Sequence, residues 1–250
     1  MLISKSFRLG RSKMLGFLDE LASMEGRAVS LYLPQGTPLD RVGGLLGKVF
    51  ATTAMPPGMD ELITGSETGA VLFWGLPRTY LVLPPFPIGE EHFTHGYDIG
   101  PLRSILCHDF SIALVLVRLG AYSIGICQGT KIVDSKTGTG LVHARHKKGG
   151  SSQARFARHR ENQIEHFLDR VCGHVREHIE PHARSLDYLV YGGARSTILS
   201  LRKRCAFLRQ FENRILRMLL DVPEPRKAVQ EKALADVWST KVIECREDDL

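Results

Sequence analysis

The residues best suited to chemistry lie between His146 and Arg160, in the run His-Lys-Lys-Gly-Gly-Ser-Ser-Gln-Ala-Arg-Phe-Ala-Arg-His-Arg. Gly149 and Gly150 let the backbone turn freely and expose its amides, while Lys147, Lys148, Arg155, Arg158 and Arg160 surround it with positive charge. From His143 to Arg160 there are six Lys or Arg residues and no carboxylate, which argues against acid-base catalysis by a side chain inside the loop. The groups left for chemistry are backbone and amide groups. A helically spaced run follows at once, so the loop opens onto the positive end of a helix dipole, where phosphate is stabilised. The blander alternative is a basic surface loop with no ligand. The G-x-x-x-x-G-K-[ST] pattern of a P-loop is missing.

Three other clusters have a chemical and a structural reading. His174, His178 and His182 recur every four residues, with His166 two turns earlier, and histidines at i and i+4 can share a zinc ion. Pro181 should break the helix before His182 and no H-E-x-x-H motif occurs, so a solvated polar face is the expectation and no metal is predicted. His143 and His146 flank the basic loop and are candidates to touch RNA or tune its charge. Gly192-Gly193-Ala194-Arg195-Ser196 joins a strand to a helix; it could hold a phosphate, but a tight turn with Ser196 as N-cap explains it as well. Arg202, Lys203, Arg204 and Arg209 either extend an RNA-binding face or form a solvated helix surface.

These residues need a scaffold, and hydrophobic periodicity supplies one. Residues 14–24 have helical spacing, 28–33 alternate like a strand, and helices are expected over 39–50 and near 60–64, with strands at 70–75 and 80–83. The Pro- and Gly-rich segment 84–101 has no clear period and reads as a connection, with a domain boundary near Leu102. A β-meander follows over 112–117, 121–127 and 130–133. Thr137, Gly138, Thr139 and Gly140 read as a flexible link. Phe156, Ile164, Phe167, Leu168, Val171, Val175 and Ile179 then mark one long helix to about Glu180. A strand over 186–191, a turn at Gly192-Gly193 and a helix from near Ser196 come next. Residues 207–222 fit a helix at first and either state later, and a final helix is expected over 226–239. The fold class is therefore α/β: a small N-terminal α/β domain over 1–101, with 84–101 as linker, and a second domain over 102–250 whose mixed sheet is flanked by helices.

Composition narrows the setting. A chain of 250 residues with net charge +6 and a pI near 9.1 favours an anionic partner such as nucleic acid. The five cysteines are scattered and form no C-x-x-C pair, so they read as reduced, mostly buried thiols. No apolar run approaches the roughly 20 residues needed to span a bilayer, and no secretory block is present, so no membrane role and a cytoplasmic location are expected. Residues 1–18 carry Lys5, Arg8, Arg11 and Lys13 with no acid; helical entry into the first domain is the expectation, with a transit peptide as the alternative.

Gly149-Gly150 followed by Arg155-Phe156-Ala157-Arg158-His159-Arg160 resembles the catalytic segment of eukaryotic and archaeal class-1 peptide-chain release factors, whose Gly-Gly-Gln loop runs into an Arg-Phe-Ala-Arg helix. Gly129 at the close of the meander, the strand before Gly192-Gly193 and a helix over 229–238 occupy places similar to those of that family's middle domain. More weakly, 17–34 and 69–75 resemble parts of its N-terminal domain. Aligned without a gap, the family's glutamine falls on Ser151, and Gln153 lies two residues later. The resulting Gly150-Ser151-Ser152-Gln153 pattern, Gly-x-x-Gln, is similar to the release-factor-like branch that acts on peptidyl-tRNA stalled on the large subunit during ribosome quality control. The stop-codon motif Asn-Ile-Lys-Ser has no counterpart between residues 49 and 69, and no GTPase-docking domain follows, so no GTPase partner is implied.

The resemblance implies a release-factor-like peptidyl-tRNA hydrolase of ribosome rescue, working at the peptidyl-transferase centre of the large ribosomal subunit without stop-codon decoding. Gly150, Ser151, Ser152 and Gln153 would form the catalytic loop. Lys147, Lys148, Gly149, Arg155, Arg158 and Arg160 would grip RNA, and no metal or organic cofactor is required. The alternatives are a non-catalytic rescue factor that binds tRNA and ribosome, and a nuclease that cuts the tRNA near its CCA end.

Overall fold

Short apolar runs bounded by turns pair into sheets in both halves of the chain. The computed structural model describes residues 2–47, 56–75, 78–143 and 153–246. The chain begins with β1 (Leu2–Leu9), α1 (Arg11–Ala22), β2 (Ala28–Leu33), α2 (Leu39–Gly47), α3 (Met59–Thr64), β3 (Ala70–Gly75), β4 (Arg78–Leu83), β5 (His92–His95) and α4 (Gly100–Cys107). It continues with β6 (Ser111–Arg118), β7 (Ala121–Gln128), β8 (Lys131–Thr139), α5 (Gln153–Ile179), β9 (Tyr188–Gly193), α6 (Arg195–Arg204), β10 (Ile215–Leu220), α7 (Lys227–Val237) and β11 (Thr240–Arg246). Among the described residues no helix is long and apolar enough to cross a membrane.

Contacts divide the chain into two units, residues 1–108 with 237–250, and residues 109–236. In the first unit an antiparallel sheet of order β1-β11-β4-β3-β2-β5 is buried on both faces. Leu31, Leu72 and Trp74 meet Val42, Met59 and Ile63 from α2 and α3 on one side. Tyr32, Phe73 and Val82 meet Met14, Leu18 and Leu21 of α1 and Leu102 and Leu106 of α4 on the other. Burial on both faces explains why β2 and β3 read as unbroken apolar runs.

Several expectations for this unit change. Residues 2–9 are a strand and not a helical entry: β1 is an edge strand whose exposed Lys5 and Arg8 discourage pairing with another chain. Its partner β11 lies at the far end of the chain, so the C-terminal residues belong to this sheet and not to the second unit. The boundary falls at Asp109 and not near Leu102, because α4 buries Leu102 and Leu106 here. The expected linker is also built in: Phe86 and Ile88 are buried, Phe86 packs edge-on against Trp238, and the Tyr32 hydroxyl donates to the Asp98 carbonyl at 2.7 Å.

In the second unit a mixed sheet has the order β10-β9-β6-β7-β8, with β10, β9 and β6 parallel and β6, β7 and β8 antiparallel. This is the expected meander extended by a parallel pair. On one face α5 lays Phe167, Leu168, Val171, Val175 and Ile179 against Val115, Tyr122, Ile124 and Ile126, beside Ile198 and Leu201 of α6. On the other, the fully buried Gln230 of α7 packs its side chain over Gly125, where a Cβ would lie 2.9 Å from the Gln230 Cδ. The ambiguous segment 207–222 resolves into a 3-10 turn, Ala206–Arg214, and then β10.

The expected flexible link is the end of β8, and its glycines serve packing. A Cβ on Gly138 would meet the Tyr122 ring, and one on Gly140 would come within 2.6 Å of Phe167. The cysteine reading also needs correction: α5 and α6 bring Cys172 and Cys205 to a Cα separation of 5.4 Å and a disulfide joins them, while Cys127 and Cys245 are buried free thiols and Cys107 is an exposed one. Scatter in sequence says nothing about two positions that packed helices bring together.

Candidate functional site at the tip of the long helix

Helix α5 is about 40 Å long, from its 27 residues. Its first buried side chain is Phe167; from Arg155 to His166 the side chains are exposed or half-buried. From Arg155 up to Ile164, which packs half-buried at the edge of the core, these turns stand clear of the core as a basic tip. No acidic side chain occupies the first turn, so the turn itself carries nothing that offsets the positive end of the helix dipole.

Lys147, Lys148, Gly149, Gly150, Ser151 and Ser152 lie outside the described residues, as does His146. Gln153 is the first helical residue, so its N–H belongs to the first turn, whose amides have no intrahelical acceptor. Arg155 and Arg158 are exposed one turn apart. Arg160 is half-buried, and its Nε donates to the His143 carbonyl at 3.0 Å, so one of its N–H groups serves the protein itself.

His143, which flanks the loop and was a candidate to touch RNA or tune its charge, is held to the tip at both its backbone polar groups. Besides the Arg160 contact, its N–H donates to Gln163 Oε1 at 3.1 Å. Gln163 Nε2 lies 3.2 Å from His159 Nε2, and the His159 and His143 rings stack with centroids 6.4 Å apart. Gln163 and His159 were not singled out by the sequence reading. Their i, i+4 spacing is visible, but nothing in the sequence points to His143, four residues past the end of β8, which they engage.

The stem of α5 is fastened on several sides. Arg204 of α6 bridges Glu165 at 3.3 Å and Asp169 at 2.8 Å, and its hydrogen bond holds the Asp169 carboxyl below the usual carboxylate range. Arg170 donates to the Thr139 carbonyl at 3.4 Å. His178 pairs with Asp134 of β8 at 2.6 Å, and this hydrogen bond lowers the Asp134 carboxyl pKa. His174 pairs with Glu177 at 3.1 Å and stacks on Tyr122, with centroids 5.6 Å apart. His182 lies in the 3-10 turn Glu180–His182 beyond the helix. Among the described residues no three metal-capable side chains come together.

Several residues of the remaining clusters make structural contacts. Both Gly192 and Gly193 lie in β9; Gly193 has φ of 119°, and a Cβ there would run into the Val117 backbone. Ala194, and not Ser196, is the N-cap of α6. Arg202 pairs with Glu212 at 2.6 Å and lies over the Tyr191 ring, and Arg204 is taken up by Glu165 and Asp169. Lys203 and Arg209 stay exposed.

Comparison with known proteins finds relatives among peptide chain release factors. Peptide chain release factor subunit 1 of Aeropyrum pernix is 25% identical over 197 residues, covering 68% of this chain and 53% of that protein. Its counterpart in Archaeoglobus fulgidus is 26% identical over 211 residues, covering 72% of this chain and 52% of that protein. The chain thus spans about half the length of the curated relatives it matches. Among solved structures, the archaeal translation termination factor aRF1 aligns with a TM-score of 0.40 and 17% identity, covering 92% of this chain and 73% of that one. The family model described as the Actinobacteria/chloroflexi VLRF1 release factor matches residues 111–243, from the first strand of the second sheet, through the basic segment and α5, into β11. With more than half of its residues in that match, the chain belongs to the Actinobacteria/chloroflexi VLRF1 release factor family.

Proposed function

We propose that the protein is a peptidyl-tRNA hydrolase of ribosome rescue that frees nascent chains from stalled large subunits. The observation that carries this reading is the tip of α5: a Gly150-Ser151-Ser152-Gln153 segment leads into an exposed helix end that carries Arg155 and Arg158 and no acid. Hydrolysis of the ester between peptide and tRNA needs a positioned water and stabilisation of the tetrahedral oxyanion or of the departing 3′ oxygen. Water adds to the carbonyl carbon, the carbon–oxygen bond to the ribose breaks, and the 3′ oxygen takes up a proton. Backbone N–H groups of Gly150 to Gln153 supply the oxyanion donors, and the Gln153 amide orients the water. Lys147, Lys148, Arg155 and Arg158 hold phosphates of the tRNA acceptor end and the surrounding ribosomal RNA, a contact indifferent to sequence and weakened by salt. The partners are the large subunit at its peptidyl-transferase centre and the peptidyl-tRNA, in the cytoplasm.

The position of Gln153, two residues beyond the family's glutamine, favours a second reading: a rescue factor that occupies the ribosome without catalysis. Purified large subunits carrying peptidyl-tRNA separate the two, with ribosome binding measured beside peptide release. Wild type is expected to release peptide, and Gln153→Ala and Gly150→Ala to bind but release it at least about 100-fold more slowly, the scale of a misplaced reacting group. Equal release by both variants defeats the catalytic assignment. Binding by wild type with no release favours the second reading.

A further inference from the structure

We propose that the Cys172–Cys205 disulfide is a reversible redox fastener: a small thiol opens it in the folded protein, and the joint between α6 and the 3-10 turn after it then loosens from α5. Cys172 lies on α5 directly after the buried Val171, and Cys205 is the C-cap of α6. Cys205 also leads into the turn Ala206–Arg214: its N–H donates to the Leu201 carbonyl at 2.8 Å, and its carbonyl accepts from the Leu208 N–H at 3.0 Å. The bond therefore ties to α5 the residue that joins helix and turn.

Two observations set this pair apart from a staple on which folding depends. The two helices meet without it: Val171 and Val175 share a core cluster with Ile198, Leu201 and Leu208, and Arg204 bridges Glu165 at 3.3 Å and Asp169 at 2.8 Å. The fold can thus outlast the bond. Burial also silences two of the other thiols, pushing Cys127 up to about 12 and, with the Glu244 charge beside it, Cys245 up to about 11. Both stay protonated at neutral pH and do not compete in exchange, for which the thiolate is the nucleophile. The exposed Cys107 belongs to the first unit.

Cys172 is half-buried and Cys205 fully buried, so an incoming thiolate meets the Cys172 sulfur first. Its attack forms a mixed disulfide with Cys172 and expels the Cys205 sulfur as a thiolate, which takes up a proton. A second reductant thiolate then attacks the reductant's sulfur in the mixed disulfide and releases Cys172, which is protonated in turn. Two reductant thiols become one disulfide, and two electrons and two protons pass to the cysteine pair. The reductant class is a small monothiol, glutathione or its equivalent, whose pool keeps cytoplasmic thiols reduced and makes disulfides there transient. That choice of reductant rests on the cytoplasmic location proposed above.

The test uses the oxidised full chain in native buffers of graded reduced-to-oxidised glutathione ratio, followed by alkylation and mass spectrometry. Cys172 and Cys205 should become labelled together, Cys127 and Cys245 should stay unlabelled, and the pair should close again when the ratio is reversed. Hydrogen exchange at the Cys205 and Leu208 amides should be at least about tenfold faster in the reduced protein, with the Val171 and Val175 amides of α5 near their oxidised rates. Cys172→Ser should exchange at the reduced rate whatever the glutathione ratio. If the pair opens only when denaturant unfolds the chain, it is a permanent staple and the proposal fails. If it opens and closes while exchange at Cys205 and Leu208 stays the same, it fastens nothing and the proposal fails as well. Labelling of both cysteines at every ratio would show that glutathione does not close the bridge, and would also overturn it. None of these results bears on the hydrolase reading, which stands or falls on peptide release.

Discussion

From Phe167 to Ile179, α5 buries five apolar side chains against the second sheet and is fastened by Arg204, Arg170, His178 and the Cys172–Cys205 disulfide. From Arg155 to His166 the same helix fully buries no side chain: Ile164 packs half-buried at the edge of the core, Glu165 meets Arg204, and His159, Arg160 and Gln163 make hydrogen bonds among exposed or half-buried polar groups. One helix thus divides its work: apolar burial in the stem holds the fold, and the tip is left for charge and geometry. If that division is right, substitutions in the stem move stability, and substitutions in the tip move binding and rate.

The largest contrast is expected between Phe167→Ala and Arg158→Ala. Emptying the fully packed Phe167 site should cost about 3–5 kcal/mol, and Arg158→Ala should stay within about 0.5 kcal/mol, both by denaturant unfolding. A similar loss for both would erase the division. Next comes the Cys172–Cys205 bridge, which closes a 33-residue separation between α5 and α6. Cys172→Ser should lower stability by about 2–4 kcal/mol relative to the oxidised protein and leave RNA affinity unchanged. The smallest effect concerns Asp134. Its carboxyl pKa is lowered in the fold by the His178 hydrogen bond, so the pair stabilises above the unfolded carboxylate value of about 3.9 and loses that contribution as pH falls through the lowered folded value. Solvent screens a half-exposed pair, so the gain is under about 1 kcal/mol. Melting curves of wild type and Asp134→Asn should therefore differ near pH 6 and converge in strong acid; a difference that widens on acidification would reverse the assignment.

Much of this was legible in the sequence, and what was not shares a cause. The stem showed itself through apolar residues three and four apart, its end through Pro181, and the meander through alternating runs, because periodic burial leaves a periodic trace. The Arg-Phe-Ala-Arg run carried the family resemblance. Pairing of β1 with β11 left no local signal, since it joins opposite ends of the chain and β1 is a mostly exposed edge. Gly138 and Gly140 looked like freedom and are constraint: Tyr122 and Phe167 occupy the space where side chains would be. The Cys172–Cys205 pair and the bonds that Arg160 and Gln163 make to His143 depend on two segments meeting, which spacing along one of them does not encode.

The central claim concerns the bond that breaks, and analysis of the tRNA and peptide after single-turnover reaction with stalled large subunits tests it most directly. Ester hydrolysis predicts a peptide with a free carboxylate and a tRNA with its CCA end intact, both formed by wild type and strongly slowed in Gln153→Ala. A tRNA shortened at its 3′ end, or a complex that wild type binds and leaves unchanged, would contradict it.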